Sequence, residues 1–441
     1  MAHVILSCAQ IFVVGLGLCV VCGWDLRALG LRGPAIAWVV GAFAVAAVVL
    51  VAGFAECLVG ARVVVGLLSV VLGVSVVLRP AWRARLPRVT VDRTDPVRAA
   101  LVVVLGAWLL SGWLYSSDYP LTGDEDRIWA ARAVAARQAG GFGDGYQAAL
   151  DVEAQQVGHG DYPPLNSLLQ LWAMLGAGGD LGNRTRLPIL LFDLASLLFL
   201  VGLLRMRTRG WLGVLVAVGP FLTVWYGSPT ASADRLVALG ALMSMSGPTL
   251  PLGLALMVCA KHEGAALAAV LAVSLALTRV MARPRDPWCA RNVLSGYLLA
   301  GALLAGIWAW NAACGLSNDI AASGLFTRLI EVGPDRLGVL LAYLWDDFLS
   351  APTASALLLP LAVGASVLRP SSLRHPHVML PALVASGASL AFFVVFLATP
   401  HGLAWHWDTA GPRVFSQLTL VTALWAGCAL DGGVSLRPPA R

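Results

Sequence analysis

Uncharged apolar runs recur along this chain at lengths that match a lipid bilayer. A helix needs about 20 residues, rising 1.5 Å each, to cross roughly 30 Å of hydrocarbon. Runs of that order lie near residues 3–22, 34–55, 61–78, 98–115, 187–204, 211–226, 292–312, 352–368, 377–398 and 414–430. Inside hydrocarbon each backbone polar group must be satisfied by the segment itself or its protein neighbours, which selects helices. Composition agrees, since 59% of the 441 residues are hydrophobic and 12% are charged, against about 25% charged in a soluble domain. The expectation is an all-α polytopic membrane protein with about 12–13 transmembrane helices. The first run begins almost at Met1, without a basic leader or cleavage site, and reads as a retained helix.

The charges set the orientation. A net charge of +6 could point to nucleic acid, but the arginines stand in short clusters between apolar runs, as in a membrane protein fixing its topology. No nucleic-acid partner is expected. Arg79, Arg83, Arg85, Arg88, Arg93 and Arg98 place their loop inside, and the run at 98–115 then delivers residues 115–186 to the outer face. Arg205, Arg207 and Arg209 belong inside again, which requires an odd number of crossings in between. Of the two apolar segments there, 165–177 is too short to cross and is expected to lie on or dip into the outer interface, leaving 187–204 to span. The region 233–281 falls into three short apolar pieces broken by SMSGPTLP and CAKHEG, and residues 313–351 form a second outer loop. The cysteines are scattered through apolar runs and read as small buried hydrophobes. Three parts follow: residues 1–97 with about three helices and a basic loop, a transmembrane core at 98–430, and a cytoplasmic tail at 431–441.

Function is expected in the outer stretch 115–165, which holds Asp118, Asp124, Glu125, Asp126, Asp144, Asp151, Glu153 and Asp161 out of the chain's 24 acidic residues. A polar segment of this length is costly to order unless it packs or acts. Asp124 and Glu125 precede the helical pattern IWAARAVAARQAG. They either cap that helix or supply a carboxylate base or cation ligand just above the membrane. His159, Asp161 and Tyr162 stand before two prolines that stiffen the chain into a helix start at Leu165. Asp234 with Arg235, and Lys261 with His262 and Glu263, interrupt apolar runs, so they form either internal ion pairs or the wall of a polar cavity for a charged headgroup. Trp405, His406, Trp407, Asp408 and Arg413 crowd the last outer loop. There the tryptophans either anchor an interface or stack on sugar rings, and Arg413, at the start of the last membrane helix, can grip phosphate. No P-loop, Rossmann glycine pattern or HExxH sequence is present.

The order GDEDRIWAARAVAARQAGGF, then HGDYPPLNSLLQLWAMLGAGGDLGNRTRLP, then SADRL, AKHEG and WHWDTAGPRVFSQL, resembles the integral-membrane glycosyltransferases of the GT-C fold. The likeness is to bacterial relatives of the protein mannosyltransferases and the aminoarabinose lipid A transferases, and it spans roughly residues 98–430. The resemblance implies a GT-C-like fold whose outer loop carries juxtamembrane helices, with Arg186 opening the next span. It implies a bacterial plasma (inner) membrane enzyme that moves sugar from a polyprenyl-phosphate donor, embedded among membrane lipid, to an acceptor on the outer face, with inversion. By the same resemblance Asp124 is the base and Glu125 its partner or a cation contact. Arg413 and Lys261 then lie toward the donor phosphate, with His159, Asp161, Tyr162, Asp234 and His406 about the substrate. The resemblance fixes no cofactor; if a divalent cation, Mg2+ or Mn2+, is used, it would sit at Asp124 or Glu125. Departures from the family pattern are the extra carboxylate Asp126 and the residues Asp408, Gly411 and Pro412. The competing reading is a transporter or flippase of a lipid-linked glycan.

Overall fold

The computed structural model describes residues 2–86, 107, 114, 121, 125–153, 160–177, 185–208, 211–225, 232–281, 288–313, 316, 324–350 and 354–431. Among these the chain is helical, with no strand. Contacts divide it into two compact units: Met1–Gly160 with Pro164–Gly202 and Ser228–Ala233, and Asp161–Pro163 with Leu203–Gly227 and Asp234–Arg441. The boundary expected at residue 97 lies outside the described residues.

The first unit contains α1 (Ala2–Val21), α2 (Arg32–Phe54) and α3 (Leu58–Leu78). A π-helical turn at Glu125–Ala130 leads into α4 (Ala131–Gln138), followed by α5 (Asp144–Glu153) and α6 (Leu165–Ala177). The apolar run at 187–204 becomes α7 (Leu187–Arg207). Before it Arg186 sits in a short turn and is 2% exposed. α6 has the short length read from sequence, but not the one-sided character of an interfacial helix. Every residue from Leu165 to Met174 is buried, because α1, α2 and α3 pack around it. Its polar groups are met inside the protein: Trp172 Nε1 donates to the Ser7 carbonyl at 3.1 Å, and Gln170 donates to Asn166 at 3.0 Å. The Arg62 guanidinium lies 4.1 Å from the Trp172 ring centre and donates to Ser7 Oγ at 3.0 Å. α3 turns the opposite kind of surface outward. Val59, Leu67, Val71 and Leu78 on it are each more than half exposed, the surface that hydrocarbon would cover.

The second unit begins with α8 (Leu212–Trp225) and contains the broken stretch read from sequence as three pieces. These are α9 (Asp234–Ser244), α10 (Leu250–Ala260) and α11 (His262–Met281). α9 and α10 pack so closely that a Cβ on Gly253 would stand 2.5 Å from the Gly240 carbonyl oxygen. Then follow α12 (Ala290–Ala313), α13 (Leu325–Glu331), α14 (Gly333–Ser350), α15 (Ala354–Leu368), α16 (Pro376–Ala398), α17 (Leu403–Ser416) and α18 (Thr419–Leu430). Two expectations change here. Much of the outer loop at 313–351 is helical, as α13 and α14. The loop expected before a last helix at 414–430 is instead α17, with Pro412 inside it. A proline costs a helix one backbone bond, yet Pro412 and Asp408 are both exposed, so the carbonyl left over at 408 faces outward.

Seven described helices are long and apolar enough to cross a membrane: α1, α2, α3, α7, α11, α12 and α16. The pair α17 and α18, bent by 44°, would make eight. The fuller count from sequence included the run at 98–115, which lies almost wholly outside the described residues, and runs described over fewer residues than a straight crossing takes: α8 is described over 14 residues and α15 over 15, against roughly 20. The chain is a multi-pass helical membrane protein.

Candidate functional site

The second unit gathers its charge where apolar helices break. α10 ends at Ala260, and Lys261 turns extended (φ −161°, ψ 155°) before α11 starts at His262. The turn requires Gly264, since a Cβ there would stand 2.0 Å from the Met257 carbonyl oxygen. The local dipoles then sort the ions. Lys261 sits at the C-terminal end of α10, while Glu263 lies in the first turn of α11 and Asp234 in the first turn of α9, each the favourable end for its charge.

The side chains meet. Lys261 Nζ lies 3.0 Å from Asp234 Oδ1 and 3.0 Å from Glu263 Oε1. Gln417, fully buried between α17 and α18, donates from Nε2 to the same Asp234 oxygen at 2.5 Å. Lys261 is 3% exposed. Burial alone would push its ammonium down, but Asp234 and Glu263 outweigh burial and hold it above the ordinary lysine value, with Arg413 acting weakly in the other direction. Beside this triad, His262 Nε2 lies 2.8 Å from Asp161 Oδ2. The Asp161 carbonyl accepts from Asn311 Nδ2 at 2.6 Å, which ties the chain before α6 to the end of α12. The Tyr162 ring bridges the two groups, 5.3 Å from the His262 ring and 5.6 Å from Lys261 Nζ, within cation–π range.

Six residues singled out from the sequence are therefore brought together: Asp161, Tyr162, Asp234, Lys261, His262 and Glu263. Arg413 is close enough to act on the Lys261 charge, but it lies in the last turn of α17, not at the start of the last membrane helix. Its Nε donates to the Thr409 carbonyl at 2.8 Å. His406 is placed with a different set, its ring 4.8 Å from Phe396 and 5.6 Å from His401. The two indoles of the same turn part company. Trp407 is 3% exposed and packs with Leu340, Phe396 and Leu397, whereas Trp405 is 56% exposed. Only Trp405 is open to stacking on a ligand. Asp124 and His159 lie outside the described residues, and Glu125 opens the π-helical turn of the first unit. Sequence reasoning passed over Asn311, an amide in an apolar helix, and Gln417, an amide at the bend between α17 and α18, whose one signal is that a buried amide needs a partner.

Chemically the cluster combines a fixed ammonium, three carboxylates and an imidazole held by one of them. Two acceptors remain buried without a partner among the described residues, Glu263 Oε2 and Gln417 Oε1. Such atoms are costly to leave unmade, and they suit a ligand that donates hydroxyl protons. Among the described residues no group of three His, Cys, Asp or Glu side chains is placed to hold a metal ion. No family model, curated protein or solved structure matches the chain.

Proposed function

We propose that this protein is a membrane glycosyltransferase that takes sugar from a polyprenyl-phosphate donor and passes it to an acceptor on the outer face. The observation that carries the reading is the pair of unpartnered acceptors, Glu263 Oε2 and Gln417 Oε1, beside the Lys261 ammonium and the nearby Arg413 in an apolar helical unit. A ligand that is at once polyhydroxylated, anionic and lipid-borne complements all three features. In the step itself an acceptor hydroxyl oxygen attacks the anomeric carbon as the carbon–oxygen bond to phosphate breaks. The hydroxyl proton passes to the base, assigned by resemblance to Asp124, and polyprenyl phosphate leaves with the bonding electron pair, inverting the centre. Arg413 meets the charge that grows on the departing phosphate.

A deletion strain analysed for lipid-linked glycans tests this. It should accumulate a polyprenyl-phosphate sugar that re-expression of the wild type clears. Asp124→Asn should restore expression but not clearance, and clearance by that variant rejects the base. Arg413→Ala should weaken donor binding more than acceptor binding.

One observation favours a second reading, a transporter of lipid-linked glycan: ions set at breaks between short helices are also how transporters build a midplane site. Proteoliposomes loaded with labelled polyprenyl-phosphate sugar separate the two. Movement of intact label across the bilayer without glycosyl transfer supports the transporter.

A further inference from the structure

The helix α16 ends at Ala398, and its last carbonyls need donors from elsewhere. Two guanidiniums meet them. Arg328 of α13 donates from Nε to the Ala398 carbonyl at 3.2 Å and from Nη2 to the Thr399 carbonyl at 2.9 Å. Arg336 of α14 donates from Nη1 to the same Thr399 oxygen at 2.7 Å and to the Leu397 carbonyl at 3.4 Å, and from Nη2 to the His401 carbonyl at 3.3 Å. One carbonyl oxygen therefore holds both cations, and two like charges stand side by side.

The helix end does not balance them. A helix C-terminus carries about half an elementary negative charge, so two guanidiniums on it leave a surplus of positive charge. Glu331 and Asp335 belong to the same two helices, but neither forms an ion pair with Arg328 or Arg336 among the described residues. Burial, and after it the Arg328 charge, lower the Arg336 pKa, with no acid acting the other way. Unlike Arg207, which closes α7 at 7% exposure, both arginines are half-buried. Both also keep donors in hand: Arg328 Nη1 and Arg336 Nε bond to no described group. Adjacent guanidinium forks with spare donors suit the several acceptor oxygens of a phosphate. The far side of α14 sets the location. Leu337, Leu341 and Trp345 recur at i, i+4 and i+8 and are all exposed, a stripe that the lipid interface would cover.

We infer that Arg328 and Arg336 form a binding site for a phosphate-type anion, built from other residues than the Lys261 cluster. The anion accepts from the donors that the end of α16 leaves unused and is either a lipid phosphodiester headgroup or free phosphate.

The test uses the full chain purified in maltoside detergent and stripped of lipid. Inorganic phosphate, dioctanoyl phosphatidylglycerol and, as control, dioctanoyl phosphatidylcholine are titrated separately, with thermal unfolding and native mass spectrometry as readouts. The expected result, in the phosphate or the phosphatidylglycerol arm, is a saturable binding event that raises Tm and survives Arg413→Ala. Arg336→Gln should weaken that event at least tenfold. The arm that responds identifies the source of the anion. Saturation in neither arm overturns the site, as does wild-type affinity in Arg336→Gln or loss of the event in Arg413→Ala alone. If Arg336→Gln does not fold, Arg328→Lys decides, since it keeps the charge and removes the fork: a severalfold weaker affinity supports the site and an unchanged one overturns it.

Discussion

Lys261 and Arg207 are cations of one compact unit, both nearly inaccessible, and their surroundings could hardly differ more. Lys261 touches two carboxylates and a tyrosine ring. Arg207 touches a carbonyl and a thiol. A charge compensated within the chain holds structure and presents its neighbours to a ligand, whereas one that meets no acid among the described residues keeps the cost of its burial. The same physical cost, desolvation of a cation, is answered internally in one case and left open in the other.

Removing each charge is the sharpest way to break this contrast. Lys261→Met strands Asp234 and Glu263 and should cost about 3–5 kcal/mol, read as a large fall in thermal stability. The double variant Lys261→Met with Asp234→Asn should recover part of that loss. Arg207→Met in lipid-stripped protein should cost nothing or stabilise, because it removes an uncompensated ion. An equal loss in both single variants would erase the distinction. Among the aromatic residues, Trp407→Ala should cost about 3–5 kcal/mol as a buried core residue, and Trp405→Ala within about 0.5 kcal/mol.

Smaller effects sharpen the picture at Lys261. Gln417→Leu removes a hydrogen bond to a charged group and should cost about 1.5–3 kcal/mol, measured by denaturant or heat. The pH dependence is the smallest effect. A lysine held above its ordinary value keeps its full contribution below the unfolded pKa of about 10.4 and loses it only as pH rises through the folded value. The penalty of Lys261→Met should therefore match at about pH 6 and pH 9, and a penalty that shrinks by pH 9 would contradict the ion-pair account.

Orientation offers one more check. Labelling of Gln147→Cys from the outer side is the expected outcome if the basic loops lie inside, and labelling from the inside alone reverses the topology.

Much of this was legible in the residues themselves. The helix breaks at SMSGPTLP and CAKHEG could be read because Gly, Pro and charge end apolar helices, and the structure breaks the chain there into α9, α10 and α11. Asp161, Tyr162, Asp234 and Lys261 could be singled out because ionic and ring-bearing groups beside apolar runs need partners. The bend at α17 was less legible. Gly411 and Pro412 read as a loop, since local propensity cannot show that the freed carbonyl faces outward.

The sequence by itself determined that the chain is helical and multi-pass, because long uncharged runs have no other low-energy form in hydrocarbon. It also determined where its helices break, through backbone chemistry that is local. The tertiary structure decided who partners whom: that His262 holds Asp161 across a hundred residues, that Gln417 reaches Asp234, and that Arg207 meets no acid among the described residues. Those outcomes depend on distances between helices far apart in the chain, and a pattern of residue types along one dimension does not contain them.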